Sequence, residues 1–236
     1  MKKYILTIVL ALTMGTALKA QFSIGYSVGY GTYSMSEMKE LLDEFKFAFI
    51  SPDGWGHTVF SHENAVVDNF PGYVNHQLEV AYRFKQHEFG AKVHYMTTGG
   101  KVSVADYSGE ISSELTMNGF KEEIFYRYYL LQKPQKINYY LDIALGLVYN
   151  ELKAKDKIVL YDVMNEKQTA RFHGFNASIT PAVGICYKLN TLITLRAAAG
   201  YEINFPDAKL KKDEMKASVG SNWSGLRLQA GVSFYL

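Results

Sequence analysis

The chain has one cysteine, no strong excess of either charge and, after residue 20, no long apolar run, and each of these absences excludes a class of protein. A single cysteine, Cys186, cannot form an internal disulfide framework. The 25 basic and 23 acidic residues give a formal net charge of +2, so the composition does not indicate nucleic-acid binding. After residue 20 there is no apolar run of the roughly 20 residues that a membrane-spanning helix needs. Any crossing of a bilayer must therefore be made by strands.

The first 20 residues have the pattern of a secretory signal peptide. Lys2 and Lys3 precede an uncharged run over residues 4–18, and Ala20 is the small residue before the expected cleavage point. The alternative is a transmembrane anchor, for which the run is short. We therefore expect a signal peptide over residues 1–20 and one domain over residues 21–236. Without the three lysines of the signal peptide, the chain has 22 basic and 23 acidic residues.

Residues 22–31, with the sequence FSIGYSVGYG, alternate strictly between large apolar and very small side chains. This period of two is that of a β-strand with one apolar face. The alternation recurs up to the last residue of the chain. It predicts eight strands, which run approximately over residues 22–31, 74–84, 89–99, 115–130, 138–150, 172–187, 191–205 and 224–236.

The connections between these strands are alternately short and long. The long ones span residues 32–73, 100–114, 151–171 and 206–223. This alternation is typical of closed antiparallel up-and-down transmembrane β-barrels, whose short turns are periplasmic. Tyr139 and Tyr149 in the fifth strand are separated by roughly 33 Å along the strand, or about 25 Å across the bilayer at a tilt of about 40°. That height matches the apolar band of such barrels, so we predict an all-β barrel of about eight strands.

Charged residues occur on the face opposite to the apolar one. The predicted inward set contains four acids and five bases, which we expect to form a mutually neutralising network, because an unpaired buried charge is costly. An eight-stranded barrel is just wide enough for side chains, so we interpret the network as a structural plug. A proton or ion path is the alternative. The inward set is Glu79, Arg83, Lys92, Glu123, Arg127, Asp142, Arg196, Glu202 and Arg227.

The first long connection contains a predicted helix over residues 36–47. Ser36 can cap this helix, and Met38, Leu41, Leu42 and Phe45 form one apolar stripe. We expect the helix to lie on the barrel rim and cover the outer mouth. The alternative is a lid, or a surface that grips a partner or lipid headgroups.

The other long connections differ in character. The second and third are predicted to continue the strands outward as hairpins, the third with its turn near Asn165 and Glu166. The fourth, residues 206–223, has a mixed run of charges and is predicted to be a solvated surface, with contact to lipopolysaccharide phosphates as the alternative. Within the strands, Pro181 predicts a β-bulge, and Glu122 is expected at or above the outer interface.

Several features together resemble a known family. They are the signal that ends in Ala20-Gln21, the FSIGYSVGYG strand, the helical segment behind it and the aromatic last strand. The chain resembles the outer-membrane β-barrel domain family, the small porin-like or OmpA-like barrels of Gram-negative bacteria. The resemblance implies an outer-membrane location and contact with outer-membrane lipids. It also implies that the barrel-assembly machinery recognises the last strand, which contains Phe234 and Tyr235, and it implies no activity.

No catalytic or metal-binding motif is evident. Ser61 and His62 are adjacent, whereas His173 and Ser178 would point to opposite faces of a strand, so neither pair has the arrangement of a nucleophile and its base. We therefore expect no catalytic residue, metal or cofactor, and a non-enzymatic role in envelope structure, adhesion or partner binding through extracellular loops. A lipid-modifying enzyme, a narrow channel and a soluble lipocalin-like barrel with its apolar face inside remain alternatives.

Overall fold

The structure of the chain is a computed structural model, which describes residues 21–50, 66–106, 109–132, 135–160, 164–205, 208–212 and 215–236. The predicted signal peptide and the pair Ser61–His62 lie outside these residues. None of the described helices is long and apolar enough to cross a membrane. In chain order the elements are β1 (Gln21–Gly31), α1 (Ser36–Ile50), β2 (Val66–Asn69), β3 (Tyr73–Phe84), β4 (His87–Asp106), β5 (Gly109–Tyr129), β6 (Ile137–Leu160), β7 (Met164–Lys188), β8 (Ile193–Phe205), β9 (Ala208–Lys212), β10 (Met215–Ser221) and β11 (Gly225–Tyr235).

Eight of the strands close into one antiparallel barrel. Each wall strand pairs with two neighbours in the order β1, β3, β4, β5, β6, β7, β8 and β11, and β11 pairs with β1 to complete the ring. These eight strands are the ones predicted from the sequence, so the predicted fold is confirmed. The extra strand β2 pairs with β4, and β9 and β10 form a hairpin beyond the wall. A closed wall leaves no strand edge inside the membrane.

The apolar face of the wall is its outer face. Along β1, Ile24, Tyr26, Val28 and Tyr30 are exposed, whereas Ser23 on the opposite face is buried. The same alternation holds along the other strands of the wall. On β6 the outward-facing residues are Tyr139, Leu141, Ile143, Leu145, Leu147 and Tyr149. A lipocalin-like barrel would have this face inside, so that alternative is wrong, and the fold is a transmembrane β-barrel.

Pro181 interrupts the ladder between β7 and β8 without a bulge. Ile179 pairs with Ile203 and Ala182 pairs with Gly200, so the register is the same on both sides of the proline. The predicted bulge is therefore wrong. The ladder omits the pairs around Pro181, and the missing N–H requires no extra residue in the strand.

Glu122 faces outward from β5, between Val93 of β4 and Leu147 of β6. It lies two residues nearer the middle of the barrel than Phe120, whose strand partner is Tyr149. The expectation that Glu122 lies at or above the outer aromatic residues is therefore wrong. The alternation of β5 fixes the face on which this carboxylate lies, because its two neighbours in the strand face inward.

Strands β4 to β7 continue beyond the wall at the end that carries α1, which we call the outer end. We define the outer ribbon as residues 97–106, 109–118, 151–160 and 164–173 of these four strands. The β4–β5 ladder runs to Asp106–Gly109 and the β6–β7 ladder to Leu160–Met164, so both predicted hairpins are confirmed. The turn predicted near Asn165 is wrong, since that residue already pairs within the ladder.

An apolar cluster, which we call the apolar cap, closes the outer mouth of the barrel. Met38 and Leu42 of α1 are fully buried in it, which confirms that the helix covers the mouth. Leu210 and Trp223 are also fully buried there, so the connection over residues 206–223 is not a purely solvated surface. The cap comprises Tyr33, Met35, Met38, Leu42, Phe70, Met96, Val102, Leu115, Met117, Val148, Leu152, Leu210 and Trp223.

Candidate functional site: the charged interior and the outer ribbon

Arg127 of β5 lies at the centre of a group of buried carboxylates. Its guanidinium nitrogens lie 2.8 Å from carboxylate oxygens of both Glu79 and Asp142, and it also contacts Glu88. These residues come from four neighbouring wall strands, β3 to β6, and their side chains are at most 5% exposed. One cation therefore contacts and orients three acids from three other strands.

Arg196 reaches the same carboxylates from β8 on the other side of the barrel. It contacts Glu79, lies 3.1 Å from Glu88, and donates a hydrogen bond of 2.7 Å to the hydroxyl of Tyr235. The hydroxyl of Tyr129 donates to Glu88 at 3.0 Å. The arginine thereby ties the first half of the barrel to the C-terminal strand.

A second group lies nearer the outer end. Lys121 lies 2.9 Å from Glu123 and 2.8 Å from Glu202, and Arg227 of β11 lies 3.1 Å from Glu202. The Nε2 atom of His94 lies 2.7 Å from Glu123. The positive charges of Lys121 and Arg227 balance the negative charges of the two carboxylates.

The two groups together form a balanced network, which we call the central charge network. It contains five cations and five carboxylates from six of the eight wall strands, and every one of these side chains is at most 9% exposed. Such balance is what a buried set of charges requires, because each unpaired member is strongly destabilising. The members are Lys92, Lys121, Arg127, Arg196, Arg227, Glu79, Glu88, Glu123, Asp142 and Glu202.

Eight of the nine residues expected to face inward belong to this network, and Arg83 does not. Arg83 is half-buried at the opposite, inner end, where it stacks on the ring of Tyr129 at 3.6 Å and donates to the carbonyl of Lys85. The predicted set lacks two members of the network, Glu88 and Lys121. The sequence does predict an inward position for Lys121, because this residue lies two positions from Glu123 in the same strand and therefore on the same face. The sequence pattern places Glu88 in a turn, whereas β4 already begins one residue before it.

The glycines on the inward face of β1 pack closely on the neighbouring strand β11. A Cβ atom at Gly25 would lie 2.9 Å from the Oγ atom of Ser233, and one at Gly29 would clash with the carbonyl oxygen of Leu228. The small face of β1 thus packs closely on β11, and the charged side chains of the other walls fill the interior. A cavity among the described side chains of this interior has a volume of about 50 Å³, enough for only a few water molecules.

Three asparagines join the central charge network to the apolar cap. Asn150 donates to Asn176 at 3.0 Å, Asn176 donates to Asn204 at 2.9 Å, and Asn204 donates to Glu202 at 2.9 Å. The indole N–H of Trp223 donates to Asn150. The interior is therefore filled from the charged centre up to the mouth.

Within the part of the chain that the structure describes, His173 and Ser178 do not have the arrangement of a nucleophile and its base. His173 faces outward and its Nδ1 atom lies 2.6 Å from the hydroxyl of Tyr149, whereas Ser178 is buried on the inner face. Among the described residues there is no group of three or more histidine, cysteine, aspartate or glutamate side chains that could hold a metal ion.

The outer ribbon carries ion pairs on the face that continues the outward face of the wall. Lys155 lies 3.0 Å from Glu114, Lys157 lies 2.5 Å from Glu110, and a longer contact of 3.7 Å joins Arg171 to Glu151. Hydrogen bonds from the two lysines hold the pKa values of Glu110 and Glu114 below their ordinary values. Both acids are therefore charged at neutral pH.

No protein-family model and no curated protein matches the chain. Among solved structures it is similar to neisserial surface protein A, with 14% identity, a TM-score of 0.41, and coverage of 91% of this chain and 97% of that one. It is similar to a major outer membrane protein of Thermus thermophilus, with 13% identity, a TM-score of 0.47 and coverage of 92% and 100%. The N-terminal β-barrel domain of Pseudomonas aeruginosa OprF has 10% identity, a TM-score of 0.35 and coverage of 92% and 100%. The resemblance to small outer-membrane barrels is confirmed at the level of the fold. The strand pairing of this chain is the basis for that conclusion, and the similar structures carry no argument about function.

Proposed function

We propose that the chain is a non-enzymatic outer-membrane barrel whose interior is a structural plug and whose work is done by the outer ribbon and its surroundings. That work is partner binding, adhesion or support of the envelope. The signal peptide directs the chain to the periplasm, the assembly machinery reads the last strand, and outer-membrane lipids surround the wall. Both termini of the mature barrel then lie at the periplasmic end.

The observation that carries this proposal is the filled interior. The central charge network crosses the barrel, the asparagines continue it outward, and the apolar cap closes the mouth. A water-filled path would need a chain of solvated space, whereas the cavity of about 50 Å³ holds only a few water molecules. The charged interior therefore supports the wall of the barrel, and contact with other molecules falls to the outer ribbon, which projects from it.

The outer ribbon is suited to contact with other molecules. It is a twisted sheet whose backbone is already paired across four strands, so it presents side chains on a rigid base. Binding surfaces on rigid elements need little ordering when a partner arrives. The ribbon can be shortened without touching the barrel, and this makes the proposal testable.

The test compares the full chain with a trimmed variant in a deletion strain. In the variant, residues 104–111 and 158–166 are each replaced by Asn-Gly, a two-residue turn that joins the positions left paired on either side. We expect both proteins to reach the outer membrane and to change gel mobility on boiling. Only the full chain should restore adhesion and detergent resistance, and neither should show discrete conductance in planar bilayers.

Three outcomes would count against the proposal. Restoration of every phenotype by the trimmed variant would show that the distal part of the ribbon, which this variant lacks, does not carry the function. Discrete conductance by the full chain would support the narrow channel. Altered lipid profiles in the deletion strain, reversed by the full chain but not by a His62→Ala variant, would support the lipid-modifying enzyme.

A further inference from the structure

The outer face of the ribbon has a clear excess of positive charge. This face is the direct continuation of the lipid-facing wall, because both consist of the same alternate residues of β4 to β7. Six cations and three carboxylates lie on it, which leaves a net charge of +3 with His173 neutral. They are Lys101, Lys153, Lys155, Lys157, Lys167, Arg171, Glu110, Glu114 and Glu151.

Two pairs of cations stand directly opposite each other in the β6–β7 ladder. Lys153 pairs with Arg171, and Lys157 pairs with Lys167. Like charges at directly opposed positions destabilise a sheet, and here the repulsion is only partly relieved. Arg171 has the long contact to Glu151, and Lys153 forms no ion pair with the residues that the structure describes. A multivalent anion between the two side chains would turn the repulsion into attraction.

The height of the first pair matches a layer of lipid headgroups. Lys153 lies four residues beyond Tyr149 on β6, and Arg171 lies four residues beyond Phe175 on β7, roughly 13 Å along each strand and about 10 Å in height at a tilt of about 40°. The headgroup layer extends about 5–8 Å beyond the hydrocarbon core. Long basic side chains at that height can bend towards the headgroups while the backbone stays above them.

We infer that the outer face of the ribbon is a binding site for phosphorylated lipid headgroups of the outer leaflet, with Lys153 and Arg171 as the primary pair and Lys157 and Lys167 as a second. This inference rests on the proposed function, since it requires the ribbon to project from the outer membrane. The lipid-facing wall and the basic face form one surface, so a lipid whose acyl chains contact the wall has its phosphate beside Lys153 and Arg171.

The test measures binding of fluorescent bis-phosphorylated lipid A to the folded barrel in zwitterionic micelles. Dephosphorylated lipid A should bind about tenfold more weakly or worse. The Lys153→Gln/Arg171→Gln variant should lose about thirtyfold in affinity for the phosphorylated form, as expected for two cations near anionic headgroups. The matched control is Lys136→Gln/Lys188→Gln, which removes two exposed neighbouring lysines at the inner end and should leave the affinity unchanged.

Equal binding of the two forms of lipid A, or an equal loss in the control variant, would overturn the inference. Tight binding of soluble heparin, with weak binding of lipid A, would instead assign the site to a soluble polyanion. In lipid-free zwitterionic micelles, Lys153→Gln should leave the ribbon as stable as before or more stable, since it removes a repulsion. A loss of stability there would show that the lysine has a structural role. Conductance and cell phenotypes test the proposed function separately, so the two can fail independently.

Discussion

Substitution of Arg127 by glutamine tests the central charge network at its most connected member. Arg127→Gln removes the shared cation of Glu79, Glu88 and Asp142 and leaves those three carboxylates with two cations, Lys92 and Arg196. Removal of one partner from a buried ion pair costs about 3–5 kcal/mol, because a charge stays buried without compensation. We expect the free energy of unfolding to fall by about that amount.

The assay is reversible urea unfolding in phospholipid vesicles at neutral pH, followed by tryptophan fluorescence. The double variant Arg127→Gln/Glu88→Gln leaves two cations with two carboxylates, so it should recover at least half of the loss. Lys136→Gln is the control, because an exposed cation outside the network contributes about 0.5 kcal/mol or less.

The reasoning would be refuted by either of two results. One is a loss of less than about 1 kcal/mol for Arg127→Gln, which would mean that the interior is solvated well enough to tolerate an unpaired carboxylate. The other is a double variant no more stable than the single one, which would mean that charge balance is not what stabilises this interior.

Three further predictions address the cap, the wall and the ribbon. Trp223→Ala should lower the free energy of unfolding by about 3 kcal/mol or more and still give no discrete conductance in planar bilayers, because the charge network below the cap stays intact. Glu122→Leu should raise the free energy of unfolding in vesicles by up to about 1 kcal/mol, since a lipid-facing carboxylate is unfavourable, whereas Thr116→Leu on the ribbon should not; equal effects would contradict this. Because the folded-state pKa values of Glu110 and Glu114 are lowered, their ion pairs stabilise the ribbon above about pH 4 and this stabilisation is lost as the pH falls through those values. The free energy of opening of β5 and β6 in the outer ribbon, measured by hydrogen exchange, should therefore fall at acid pH by less than about 1 kcal/mol. The Glu110→Gln/Glu114→Gln variant should show no such fall.

The wall of the barrel could be predicted from the sequence because a period of two is a local signal. In each wall strand the apolar residues identify the outward face, as Ile24 to Tyr30 do in β1. The residues between them then form the inward face. The same signal places Glu123 and Arg127 inside without any knowledge of their neighbours. The local nature of this signal also explains why the bulge predicted at Pro181 is wrong. The alternation within one strand does not tell which neighbouring strand would have received the hydrogen bond that proline lacks.

The partners within the network could not be predicted, because they depend on the register between distant strands. Arg196 and Glu79 are 117 residues apart in sequence, and Lys121 and Glu202 are 81 apart. The apolar cap posed the same difficulty. Trp223 and Leu210 follow no long period of their own, and their burial depends on α1 from the other end of the chain.

Spin labels on single cysteines along β6, in a Cys186→Ala background, test the central claim most directly. Outward positions Leu141, Ile143 and Leu145 should be accessible to oxygen dissolved in the bilayer and closed to a water-soluble nickel reagent. The inward position Ala144 should be closed to both, because the interior is filled. Access of the nickel reagent to the inward position would show an open pore. Access to the outward positions would show that the apolar face of this barrel does not lie in a membrane.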